Sequence, residues 1–128
     1  MDLSKSTVNL CILGTQAELE RRFSDARRLY EEAWRCATDD YEKCIAAHYV
    51  AHLEGDSAEA LKWNLAALSH GERADAALIS GFLPSLYVNL GRSYELAGDA
   101  VQSAHYYELA AKHGLVHEPQ IWEASQSG

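Results

Sequence analysis

The residues best suited to chemistry are one thiol and two imidazoles spaced four positions apart, Cys44, His48 and His52. Steps of four advance only about 40° around an α-helix, so the three side chains would share one helical face. A thiolate and two imidazoles are ligands that zinc prefers, and Glu54 or His105 would supply a fourth. The competing interpretation buries Cys44 and His48 between packed helices. Metal binding is therefore the lesser alternative, and our main expectation is no metal and no cofactor.

The sequence does not predict an enzyme. It contains no G-x-S-x-G nucleophile motif and no glycine-rich phosphate loop. The acidic pairs Glu31–Glu32 and Asp39–Asp40 are sequence neighbours, whose side chains diverge on a helix or cap a turn. We therefore expect a non-enzymatic protein with no catalytic residues.

Composition favours a single globular domain over residues 1–128. The chain is 48% hydrophobic and 23% charged, with two prolines, as in ordinary folded domains. Its formal net charge of −8 repels phosphate backbones, so we expect no nucleic acid partner. No stretch approaches the roughly 18–20 apolar residues that a membrane span needs. Three cysteines without a secretion signal predict reduced thiols and a cytoplasmic location.

The elements that would position these residues repeat along the chain. Three sets of residues occur with the same spacing. In each set a Gly or His, which we call the anchor, is followed by a small residue and then by an alanine: Gly14, Ala26 and Ala33; His48, Ala60 and Ala67; Gly91, Ser103 and Ala110. The interval from the second anchor to the third is longer than that from the first to the second, which indicates an insertion of about nine residues. Apolar residues recur every three or four positions on both sides of each joint, which predicts a pair of helices per unit.

The joints between paired helices carry the residue types that start and end helices. Asp56 and Asp99 would accept the free amide protons of a first turn. Gly55 and Gly98 precede them and would end the previous helix in the left-handed conformation. Small residues where the backbones cross would allow the paired helices to approach closely.

The repeated pattern resembles the tetratricopeptide repeat, a helix–turn–helix motif whose unit is about 34 residues long. The third unit carries the best match, with Leu90–Gly91, Tyr94, Gly98–Asp99, Tyr107 and Ala110. Its longer spacing is similar to the variant found in kinesin light chains and many bacterial repeat proteins. The resemblance implies an all-α fold, a right-handed superhelical α-solenoid of about three repeats with a C-terminal capping helix. The corresponding ranges are about 7–40, 41–74 and 84–117 for the repeats, 75–83 for the insertion and 118–125 for the cap.

Two versions of the segment around the insertion are open. A helix would end at Gly71, and the next would either begin early, within Ala74–Ser80, or begin close to Pro84. Proline is tolerated in the first turn of a helix but kinks the interior. The first version would therefore lengthen the first helix of the third unit at the cost of a kink.

The resemblance also implies a function, because repeats of this kind use the first helix of each pair to line a concave groove that binds a peptide or a partner helix. The side chains expected to line that groove are Thr15, Glu18, Tyr49, His52, Val88, Asn89, Arg92 and Glu95. This mixed surface would suit a ligand with both apolar and cationic groups. The leading hypothesis is a protein-interaction adaptor. The alternative is a self-associating scaffold, a homodimer in which an apolar residue such as Trp122 is buried between two copies.

Overall fold

The computed structural model describes residues 6–113 of the chain, and this range consists of helices and short connections without a strand. The helices in chain order are α1 (Thr7–Leu19), α2 (Phe23–Cys36), α3 (Asp40–His52), α4 (Ser57–Arg73), α5 (Ala76–Ile79), α6 (Leu83–Leu96) and α7 (Ala100–Lys112). The all-α prediction is confirmed over these residues. The capping helix predicted at about 118–125, including Trp122, lies outside them.

Six of these helices form three hairpins, α1 with α2, α3 with α4, and α6 with α7. The second helix of one hairpin packs against the first helix of the next, because α2 contacts α3 and α4 contacts α6. The first helices α1 and α3 also touch each other. Neighbouring hairpins are therefore neighbours in the sequence as well.

The core divides into two clusters that share a pair of tryptophans. One cluster lies among α1, α2 and α3 and contains Leu10, Cys11, Ala17, Ala26, Tyr30, Ala33, Ala46 and Val50. The other joins the second and third hairpins and contains Cys44, Ala47, Ala67, Leu68, Ile79, Leu86, Tyr87, Leu90 and Ala110. Trp34 and Trp63 pack against both, with their rings edge to face and 5.1 Å apart. This contact continues the apolar interior from one hairpin to the next.

The predicted helix starts at the two aspartates are confirmed. The Asp56 carboxylate accepts the backbone N–H of Ala58 at 2.8 Å, and Asp99 accepts that of Gln102 at 3.0 Å. Each bond satisfies a donor that a first helical turn leaves without an intrahelical partner. The two carboxylates also place negative charge at the positive end of the helix dipole.

Removing the first of these caps has a measurable expected cost. We expect Asp56→Ala to lower the free energy of unfolding by about 1 kcal/mol, because α4 loses the acceptor for its first-turn amides. Asp56→Asn keeps an acceptor oxygen and serves as the matched control in urea denaturation. Equal losses in both variants would contradict the capping role.

The prediction for the glycine before Asp56 is wrong. Gly98 is left-handed with φ of +82°, whereas Gly55 is not, and in the first joint Arg21 has φ of +63°. Three residues join α1 to α2 and α6 to α7, and in both joints the middle one is left-handed. Four residues join α3 to α4, so this connection turns without a left-handed residue.

The segment around the insertion confirms the version in which the next helix begins close to Pro84 and corrects the expected helix end at Gly71. Gly71 does not end a helix but lies buried inside α4, where an added Cβ would be 3.1 Å from the Cys44 sulfur. Ala74–Ser80 does not lengthen α6, because Asp75 caps the separate short helix α5. Pro84 lies in the first turn of α6, where its missing N–H costs no helical hydrogen bond.

Candidate functional site

The predicted metal ligands are not brought together. Cys44 is fully buried in the core, and burial raises the pKa of its thiol to about 12. The Nδ1 atom of His48 accepts a hydrogen bond from the Asn89 amide, and His52 faces Glu18 instead. Residues 6–113 contain no group of three His, Cys, Asp or Glu side chains placed to hold one ion. The rings of His48 and His52 stack with centroids 6.4 Å apart, while Cys44 lies apart from them in the core.

Each outer hairpin is held together by a glycine packed under a tyrosine ring. An added Cβ on Gly14 would lie 2.7 Å from Cδ1 of Tyr30, and one on Gly91 would lie 2.8 Å from the ring of Tyr107. The glycine and the tyrosine have the same separation in the sequence in both pairs. The ring of one helix therefore covers the backbone of the other, a fit that only glycine permits at this distance.

The same tyrosines bind two of the residues that we expected to line the groove. The Tyr30 hydroxyl donates to Glu18 at 2.8 Å, and the Tyr107 hydroxyl donates to Glu95 at 2.9 Å. In each case the glutamate lies one helical turn after the glycine, on the same helix. Glu18 and Glu95 therefore connect the two helices of their own hairpins.

In the middle hairpin the ring is on the first helix and the smaller side chain is on the second, the reverse of the outer hairpins. His48 stands at the glycine position, Asn64 follows it at the tyrosine position with the same separation, and His52 takes the place of the glutamate. Asn64 is buried and donates to the Ser93 hydroxyl at 3.0 Å, on α6 of the next hairpin. The ring on α3 thus replaces the ring that the outer hairpins carry on their second helix. A polar cavity of about 230 Å³ lies between α3, α4 and α6.

A larger and mostly apolar groove of about 740 Å³ lies between α1, α3 and the start of α6. Its lining residues are Val8, Cys11, Ile12, Thr15, Gln16, Leu19, Glu20, Tyr41, Ile45, Tyr49 and Phe82. Three of them, Val8, Ile12 and Leu19, form a row along α1 that we call the α1 stripe. They are 41%, 58% and 80% exposed. Aliphatic side chains that are exposed together along one groove are typical of an interaction site.

The opposite wall of the groove is firmly packed. Tyr49 stacks on the buried ring of Tyr30 with centroids 5.1 Å apart, and Phe82 meets His48 edge to face at 5.0 Å. The Cys11 thiol below them is buried, which raises its pKa to about 12. The groove therefore has a preformed shape and offers a protonated, unreactive thiol.

The predicted groove residues divide among neighbouring cavities. Thr15, Glu18, Tyr49 and His52 share a cavity of about 390 Å³ at the C-terminal end of α1. Asn89 and Arg92 line the polar cavity, to which His52 also contributes. Of the last two, Val88 packs against the second core cluster and Glu95 accepts a hydrogen bond from Tyr107.

Sequence reasoning missed the α1 stripe and Phe82. The missed signal is that α1 carries apolar residues on two faces. Leu10, Gly14 and Ala17 are buried on one face, and the α1 stripe follows the other at intervals of four and seven.

Comparisons of the chain with protein-family models, curated proteins and solved structures found no match. Over residues 6–113, every helix is too short or too polar to cross a bilayer. The described part of the chain thus defines an all-helical protein of packed hairpins with an open apolar groove.

Proposed function

We propose that this chain is a tetratricopeptide-like adaptor, a right-handed α-solenoid that binds a peptide or a partner helix in its groove without chemistry. The α1 stripe carries the proposal, because three aliphatic side chains on one exposed helix face line a groove of about 740 Å³. The packing of each hairpin on the next in sequence order supports the solenoid.

The groove favours a ligand with apolar anchors and a cationic flank. The α1 stripe forms one wall, and Ile45, Tyr49 and Phe82 contribute to the other. Glu18 and Glu20 lie at the C-terminal end of α1, beside the last residue of the stripe. An amphipathic helix would fill the groove, with its positive N-terminus or a basic side chain near these carboxylates.

The thiols support a binding role in a reducing compartment. Cys11 and Cys44 are buried, with raised pKa values that keep them protonated, and Cys36 is half-buried and unpaired. A protonated buried thiol is a poor nucleophile. We therefore propose a non-enzymatic protein of the cytoplasm, where unpaired cysteines are usual.

Peptide selection tests the groove without knowledge of the natural partner. A displayed library of amphipathic helical peptides would be selected for binding to the wild-type chain. The affinity of the selected peptides would then be measured by fluorescence anisotropy. We expect Ile12→Glu to weaken binding by at least about tenfold, because it places a carboxylate among apolar contacts. The expected peptides carry apolar residues three and four apart with a basic flank.

Leu13→Glu is the matched control for this experiment. Leu13 is the sequence neighbour of Ile12, is 45% exposed and lies outside the residues that line the groove. Its affinity for the selected peptides should stay within about twofold of wild type, since exposed substitutions away from a contact have small effects. Circular dichroism verifies that both variants are folded. Equal loss in both variants, or in neither, would contradict binding in the groove.

A further inference from the structure

We propose that the helix bound in the groove is α1 of a second copy of this chain, packed antiparallel to the first about a twofold axis. This inference rests on the proposed function, because it names the occupant of the same groove. In such a homodimer each copy inserts its α1 stripe between α1 and α3 of the other. The two grooves are then closed by one symmetric contact.

The spacing of the α1 stripe suits this symmetry. Val8 and Leu19 lie equally far, in opposite directions, from the midpoint between Ile12 and Thr15. A twofold axis through that midpoint therefore places Val8 against Leu19 of the second copy and Ile12 against its Thr15. Each end of the stripe then meets an aliphatic side chain of the second copy. Near the axis, Ile12 meets the smaller side chain of Thr15, which leaves room for the two helices to pack closely.

The charges of α1 select the antiparallel direction. The helix has one charged side chain, Glu18, in its last turn, followed by Glu20, and no acidic residue in its first turn. Carboxylates at a C-terminus oppose the helix dipole, while the positive N-terminus here lacks an acidic side chain. Glu20 is paired with Arg22, so Glu18 is the carboxylate that bears on the direction of pairing. Antiparallel pairing brings Glu18 of each α1 beside the N-terminus of the other, whereas parallel pairing would place the two Glu18 carboxylates and the two helix C-termini side by side.

The contacts already made by these carboxylates are compatible with the pairing. Glu18 accepts from Tyr30 and lies 3.2 Å from His52, which fixes its position at the end of the groove. Glu20 forms an exposed ion pair with Arg22 at 2.8 Å. Neither contact covers the α1 stripe, whose exposure rises to 80% at Leu19.

Mass in solution tests the dimer directly. Sedimentation velocity and light scattering over a wide concentration range should give twice the 14.2 kDa of a single chain. Ile12→Glu should weaken association by at least about a hundredfold, since the symmetric contact contains the substitution twice. Leu13→Glu should associate as the wild type does. A monomeric wild type at every concentration, or a dimer that Ile12→Glu leaves intact, overturns the inference.

Cysteine cross-linking tests the antiparallel register. In a Cys36→Ala background, Val8→Cys protein mixed with Leu19→Cys protein should form a covalent dimer, whereas each alone should not. The two Val8 positions of an antiparallel pair are about 16 Å apart along the helix axis, beyond the reach of a disulfide. Efficient cross-linking of the Val8→Cys protein with itself would indicate parallel helices and overturn the proposal.

The two proposals fail in different ways. A monomeric protein that binds the selected peptides, with affinity lost in Ile12→Glu, overturns the second copy as occupant and retains the adaptor. A protein that neither dimerises nor selects groove-dependent peptides overturns both. If the dimer forms as proposed, the peptides compete with it, so their apparent affinity should fall as the protein concentration rises.

Discussion

Gly14→Leu is expected to lower the free energy of unfolding by about 3 kcal/mol or more, since overpacking a close helix contact forces the backbones apart. A Cβ alone at this position would be 2.7 Å from Cδ1 of Tyr30. That ring is 1% exposed and its hydroxyl is bonded to Glu18, so it has little room to move. The gain of about 1 kcal/mol in helix propensity on replacing a glycine is smaller than this penalty.

Urea denaturation of two further variants separates steric conflict from other effects of the substitution. Gly55→Leu adds the same side chain where nothing lies within 4 Å of the new Cβ, and we expect a change of at most about 0.5 kcal/mol. Gly14→His with Tyr30→Asn copies the exchange seen at His48 and Asn64. Its destabilisation should be smaller than the sum of the two single changes, because the volumes compensate. Equal losses at Gly14 and Gly55 would contradict the close helix approach.

The sequence predicts the helices and their starts well because those signals are local. Periodic apolar residues and the carboxylates of Asp56 and Asp99 act within a few positions of where they occur. The conformation of Gly55 depends instead on the length of its connection, and the burial of Gly71 depends on Cys44 and Leu86 from other helices. Neither can be read from neighbouring residues.

The candidate site is predicted less completely, for a similar reason. Helical phase places Thr15 and Tyr49 on the correct side of their helices, and both line the groove. Phase does not predict which polar groups find partners within a hairpin. Glu18 lies where phase placed it, but it bonds to Tyr30 on the next helix of the chain. Phe82 belongs to the inserted segment between α4 and α6, and the position of this segment brings its ring to the groove. Helical periodicity does not specify that position.

Acidification from pH 7 to pH 4 is expected to destabilise the protein by up to about 3 kcal/mol through His48 alone. Burial between α3 and the start of α6, with a smaller repulsion from His52, lowers the pKa of His48 from 6.5 to about 4. Its Nδ1 atom also accepts from Asn89 at 3.0 Å, a bond that suits the neutral ring. Below pH 6.5 the unfolded chain binds a proton that the folded chain excludes. The contribution of His48 is therefore complete above pH 6.5 and is lost progressively towards pH 4.

His48→Gln isolates this contribution, because its amide oxygen can still accept from Asn89 but does not titrate. The free energy of unfolding of both proteins would be measured by urea denaturation from pH 8 to pH 4. Carboxylates and the other histidines titrate in both, so their effects cancel in the difference. That difference should be constant above pH 7 and should shrink towards pH 4 as the wild type loses its advantage. Parallel curves across the whole range would mean that His48 is protonated as readily in the folded chain as in the unfolded one, and that the α3 face is open to water.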